Sequence, residues 1–174
     1  MISSVYKIFF FLAFIVTQVN CEVSSICNTF IFGNKGNEVS SSCKISSGDE
    51  QGFAVETLLI VSGKSMELVL SPPSKTSTGR HFNVKVNGKL VLKKLTLSGG
   101  RFDSGSGCAV NINAGGIGSF TNVIFSDNIC GSPDGDPPRW PDQSGNCGAL
   151  NSVGQVTLHS VQFSGNAAGS NGAL

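Results

Sequence analysis

Charge is scarce in this chain: Asp, Glu, Lys and Arg make up 13% of the 174 residues and nearly cancel, leaving a formal net charge of +1. That is about half the charged share of an average globular protein. With no basic run, the composition argues against nucleic acid or an anionic membrane surface as partner. A single Trp and a single Tyr give no interleaving of aromatic and basic residues on which single-stranded nucleic acid could stack. Histidine is nearly missing as well. His81 has no second His or Cys at metal-ligand spacing, and His159 sits where other copies of a repeat carry Lys93 and Thr121, so it is expected at an exposed corner. No Ser-His-Asp or Cys-His arrangement can be assembled, and no metal or cofactor is expected.

Long apolar runs are also lacking. The stretch Ile8–Val16, nine residues behind Lys7, is too short to cross a bilayer and fits the core of a secretory signal peptide ending at Cys21. No other segment is apolar enough to span a membrane, so the mature chain is expected outside the cell or on its surface. The expected organisation is a signal peptide over 1–21, an N-terminal cap segment over 22–56 and repeats over 57–174.

What is present in place of charge is a repeat. Val86–Gly100, Ala114–Asn128 and Val153–Asn166 align with Gly88, Gly116 and Gly154 in one column. Leu92, Phe120 and Leu158 share the next, followed by Leu95, Val123 and Val161, then Leu97, Phe125 and Phe163, and finally Gly100, Asn128 and Asn166. Apolar residues alternate within each copy, the pattern of a strand with one buried face. The alternation slips by one residue at Lys93-Lys94, Thr121-Asn122 and His159-Ser160, which predicts two short strands meeting at a polar corner. A bent ribbon of this size cannot bury its own apolar face and must stack on its equivalents.

The expected fold is therefore all-β, a right-handed single-stranded parallel β-helix (solenoid) of about four coils. Gly100, Asn128 and Asn166 are expected to take positive φ at a sharp bend, with the asparagines bonding from coil to coil and Phe125 and Phe163 stacking inside. Leu58–Leu70 reads as a degenerate earlier coil, with Gly63 in the column of Gly88. Asn171-Gly-Ala-Leu174 repeats Cys147-Gly-Ala-Leu150, so the chain reads as a longer solenoid truncated at its C-terminus. The alternative is a short final edge protected by oligomerisation.

Phe125-Ser-Asp-Asn128 and Phe163-Ser-Gly-Asn166, alternating with Cys147-Gly-Ala-Leu150 and Asn171-Gly-Ala-Leu174, resemble the FxxN and GGA(I/L/V) repeats of the chlamydial polymorphic outer membrane proteins. More broadly the pattern is similar to right-handed, pectin-lyase-like β-helices. The resemblance covers roughly 82–174 and implies a surface-displayed passenger domain used in adhesion. Gly107-Cys-Ala-Val110 and Leu97-Ser-Gly-Gly100 match loosely, and the C-terminal β-barrel translocator of that family has no counterpart here.

Five of the six cysteines follow the signal peptide, an odd number for an oxidising compartment. Cys27 and Cys43 bracket the polar N-terminal segment, where a bridge could fasten a cap. Cys130 and Cys147 bracket the insertion Gly131–Asn146, and closing that loop would contribute roughly 3 kcal/mol. Cys108 is expected inside the stack as a small hydrophobe, with Cys108–Cys147 as the competing pair.

The insertion is the one place where a coil departs from its siblings, and insertions in solenoids often form the working surface. Its Trp140 could stack on a sugar or anchor a protein, beside Arg139 and with Asp134, Asp136 and Asp142 close by. Three carboxylates among prolines fall short of a calcium loop; the competing reading is a proline-stiffened loop that packs Trp140 on the coil. Glycoside hydrolysis needs two carboxyl groups facing each other, whereas Asp103 and Asp127 occupy different columns, Glu67 stands alone, and Arg101 beside Asp103 reads as a surface ion pair. The expected function is thus a secreted or cell-surface β-helix repeat protein, a non-catalytic adhesion or binding module for a glycan or a cell-surface protein. The alternatives are a pectate-lyase-like carbohydrate-active enzyme whose catalytic coils lie elsewhere, and a structural wall or matrix component.

Overall fold

The computed structural model describes residues 27, 30, 32–34, 36–45, 51–72, 79–102, 107–130 and 148–168. Among them there is no helix, and every strand pairing is parallel. The strands run in the order β1 (Asn37–Val39), β2 (Cys43–Lys44), β3 (Phe53–Val55), β4 (Leu58–Gly63), β5 (Val69–Ser71), β6 (Phe82–Val84), β7 (Lys89–Ser98) and β8 (Arg101–Phe102). They continue as β9 (Val110–Ile112), β10 (Ile117–Ser126), β11 (Ile129–Cys130), β12 (Leu150–Ser152), β13 (Gln155–His159), β14 (Gln162–Ser164) and β15 (Ala167–Ala168).

Three sheets take them up. The largest follows β1-β4-β7-β10-β13, with β2, β5 and β14 continuing it past the corner; the others are β3-β6-β9-β12 and β8-β11-β15. Each strand pairs with its counterpart one repeat away, so the sequence columns become register columns. Leu92, Phe120 and Leu158 are direct partners, as are Leu97, Phe125 and Phe163. The expected polar corner is real: Lys94, Asn122 and Ser160 take left-handed φ of 52°, 53° and 51°, which turns the ribbon between two buried columns.

Alternation places one side of each strand inward. Leu59, Val61, Leu90, Leu92, Leu95, Leu97, Phe120, Val123 and Phe125 are fully buried from the large sheet. Val55, Phe82, Val84, Val110 and Ile112 face them from the second sheet, equally buried. Burying one such side chain stabilises by about 1.5–3 kcal/mol, which is why the apolar columns dictate the register. Gly118 breaks the inward pattern because space there is taken: a Cβ would lie 3.0 Å from the Phe120 ring. The expected phenylalanine stack is present, with Phe125 and Phe163 rings 5.0 Å apart and within 7° of parallel.

Three expectations are corrected. Gly63 does not share the column of Gly88; Ser62 pairs with Lys93, so Gly63 falls at the corner beside Lys94, because Leu59 and Val61 take the buried places opposite Leu90 and Leu92. Left-handed φ is found not at Gly100, Asn128 and Asn166 but one residue earlier, at Gly99 (78°), Asp127 (52°) and Gly165 (63°). Bending there leaves the asparagine side chains free to reach the preceding repeat. Finally, Cys130 is bonded to Cys108 and not to Cys147, with Cα atoms 5.5 Å apart. Cys108 opens a turn of the stack and Cys130 closes the same turn, both facing inward beside Phe102, so their sulfurs meet across the interior. The Cys27–Cys43 bridge is as expected. The segment read as a cap supplies Cys27, Phe30 and Ile45 to the core, and also β1, β2 and β3, which pair with the next repeat.

Candidate binding face

The loop residues Asp134, Asp136, Arg139, Trp140 and Asp142, with Cys147, lie outside the described residues. The insertion that carries them rejoins the fold at Gly148 and leads straight into β12, on the second sheet.

The outward side of the second sheet carries a column of amides. In β6, β9 and β12 the triplets Phe82-Asn83-Val84, Val110-Asn111-Ile112 and Leu150-Asn151-Ser152 alternate inward and outward, and Asn83, Asn111 and Asn151 are direct register partners. Asn151 Nδ2 donates to Asn111 Oδ1 at 2.7 Å, and Asn111 Nδ2 to Asn83 Oδ1 at 3.3 Å. Asn113, just past β9, donates to the same Asn83 oxygen at 3.0 Å and to Val84 O at 2.9 Å. Asn83 is buried, while Asn111, Asn113 and Asn151 are half-buried. Mutual bonding orients these amides, and the remaining donor and acceptor capacity of the half-buried Asn111, Asn113 and Asn151 faces outward with no formal charge. Such a surface suits hydroxyl-bearing ligands.

A second set of amides points inward and is structural. Asn128, fully buried, donates from Nδ2 to Leu97 O (3.1 Å) and accepts at Oδ1 from Gly100 N (2.9 Å). Asn166 repeats the pattern one turn on: Nδ2 donates to Phe125 O (2.8 Å), and Oδ1 accepts from Asn128 N and Nδ2 (3.1 and 2.9 Å). Gly100, in the same column, has no amide to offer the turn before it. His81 substitutes for it. Its Nε2–H donates to Leu70 O at 2.8 Å, with Ser98 O at 3.1 Å, and Leu70 is the register partner of Leu97. The ring is wholly buried and its Nδ1 has no partner, and burial pushes its pKa down to about 4. His159 is exposed at the corner beside Thr121.

Sequence reading missed both the outward amide column and the role of His81. The first was detectable in part, because an Asn in an alternating triplet precedes each of the three aligned copies, five residues before Gly88 and Gly116 and three before Gly154. The second was not, because His81 lies outside the column whose work it does.

The chain was compared with protein-family models, with curated proteins and with solved structures, and none of the three comparisons found a match.

Proposed function

We propose that the chain is a right-handed parallel β-helix that acts outside the cell as a binding or adhesion module, recognising a glycan or glycosylated surface without catalysing a reaction. The observation that carries the reading is the Asn83–Asn111–Asn151 column, an ordered and uncharged row of amides whose last strand, β12, follows the Trp140-bearing insertion in the sequence. Two disulfides agree with an oxidising compartment. The FxxN pattern resembles that of surface-displayed repeat proteins.

A glycan array probed with the wild type, Asn111→Ala/Asn151→Ala and Trp140→Ala tests this reading. Wild-type binding to a subset of glycans, weakened by either variant, is the expected result. Binding that both variants retain in full, or no binding by the wild type to any glycan or cell surface, overturns it.

A further inference from the structure

Away from the amide face, the first polar corner encloses a cleft of about 450 Å³. Its walls are Asn37 and Glu38 from β1, Ile60 and Ser62 from β4, and Lys93 and Lys94 from β7. Two glycines also line it, Gly36 and Gly63, so part of the wall is bare backbone that a ligand can approach closely. Asn37 is held in place by donating from Nδ2 to Ile60 O at 2.9 Å. A pocket with an apolar floor and a few oriented polar groups has the general form of a small-ligand site.

The charge arrangement gives the ligand its class. Corners of other turns carry Ser62-Gly63, Thr121-Asn122 and His159-Ser160, and only this one carries two adjacent lysines. Lys93 has Ser62 on one side and Thr121 on the other in the register, neither of which can neutralise it. Both lysines are exposed, and among the described residues no acid forms an ion pair with either. Lys94 is held at φ 52°, a conformation common for Asn and uncommon for Lys. The same φ recurs at Asn122 and Ser160, so it belongs to the corner of the fold, and the lysine pair is what sets this corner apart. Among the described lining residues Glu38 is the one acid, against Lys93 and Lys94, an excess of positive charge.

We propose that this corner cleft binds an acidic sugar unit, a uronate or sulfate ester, with Lys93 and Lys94 on the anionic group, Asn37 and Ser62 on ring hydroxyls, and Ile60 beneath the ring. The site is separate from the asparagine face and does not depend on it. Compactness of the anion and the flexible reach of lysine suit a point-charge contact.

The test is calorimetric titration of the chain with tetragalacturonate, a sulfated chondroitin tetrasaccharide and uncharged cellotetraose. The variant Lys93→Thr/Lys94→Asn copies the corner Thr121-Asn122 that the next turn already folds with, so its fold is preserved by precedent, and circular dichroism checks it. The wild type should bind at least one acidic tetramer and not cellotetraose. Losing both lysines should weaken binding by about tenfold or more, since a hydrogen bond to a charged group contributes about 1.5–3 kcal/mol, and should flatten the salt dependence. Asn111→Ala/Asn151→Ala is titrated in parallel: binding of the acidic tetramers that this variant loses and the lysine variant keeps belongs to the amide face and overturns the assignment to this cleft. Equal binding of cellotetraose, no binding of either acidic tetramer by the wild type, or undiminished affinity in the folded double variant overturns the proposal.

Discussion

Leu92 and Leu158 occupy the same register column two turns apart, yet Leu92 is fully buried and Leu158 is 47% exposed. The contrast extends to the two ends of the stack. At the first turn Phe30 packs edge-on against Phe53 with centroids 5.5 Å apart and lies 6.0 Å from Phe82, and the Cys27–Cys43 bridge fastens the segment that carries it. At the last described turn, Val156, Val161 and Phe163 are only half-buried, and Val153 is exposed. Residues 148–168 contain no Lys, Arg, Asp or Glu, although charge is a common guard of an open strand edge. A column position in a stacked repeat thus specifies which way a side chain points, while the turn beyond it determines how much that side chain contributes.

The strongest way to break this comparison is to cut the same side chain at both places. Leu92→Ala should destabilise by about 4 kcal/mol, as expected for a buried leucine that leaves a cavity. Leu158→Ala should cost about 1 kcal/mol, because much of that side chain is already in water. Urea unfolding of the two variants checks both, and equal losses would show that Leu158 is covered in solution. Next in size is the fastening of the first turn. Cys27→Ser/Cys43→Ser should lower stability by about 3 kcal/mol, the value for closing a loop of this length. Hydrogen exchange should then rise first in β1 and β2 and only later in β13.

A further effect concerns acid. His81 is neutral in the folded chain with a pKa lowered to about 4 from 6.5, so the unfolded chain binds a proton more readily. Its contribution to stability is complete above pH 6.5 and is lost as pH falls towards 4. Between pH 7 and pH 5 the loss should be about 2 kcal/mol. Comparing urea midpoints of the wild type and His81→Asn at the two pH values checks this, since asparagine offers an amide donor and does not titrate. An identical pH dependence in both proteins would remove His81 as the cause.

The apolar columns were legible in the sequence because burial is periodic and repeats enforce it: Leu92, Phe120, Leu95, Val123, Leu97 and Phe125 align by their spacing alone. The corner was legible for the same reason, as a shared slip of phase. The earlier turn was misregistered at Gly63 because residues 64–67 enlarge its corner, shifting the spacing between Val61 and Leu68 relative to Leu92 and Leu95. The Cys108–Cys130 bond escaped because proximity in sequence favours Cys147, whereas a stack brings the start and end of one turn together. Of the candidate sites, the amide column was readable as a recurring inward-outward-inward triplet. The lysine cleft was not, since it depends on β1 lying beside a corner some fifty residues later in the chain.

The inward asparagines impose an order on the molecule. Asn128 completes the backbone of the turn before it at Leu97 and Gly100, and its own backbone N–H and second side-chain donation are taken up by Asn166. Among the described residues, neither the turn at Leu97 nor the one at Phe125 satisfies itself. Each is sealed by its successor, so the dependence runs in one direction along the axis, like courses of masonry in which every layer is locked by the one laid above it. A polypeptide that emerges N-terminus first presents these layers in the order in which they can be locked.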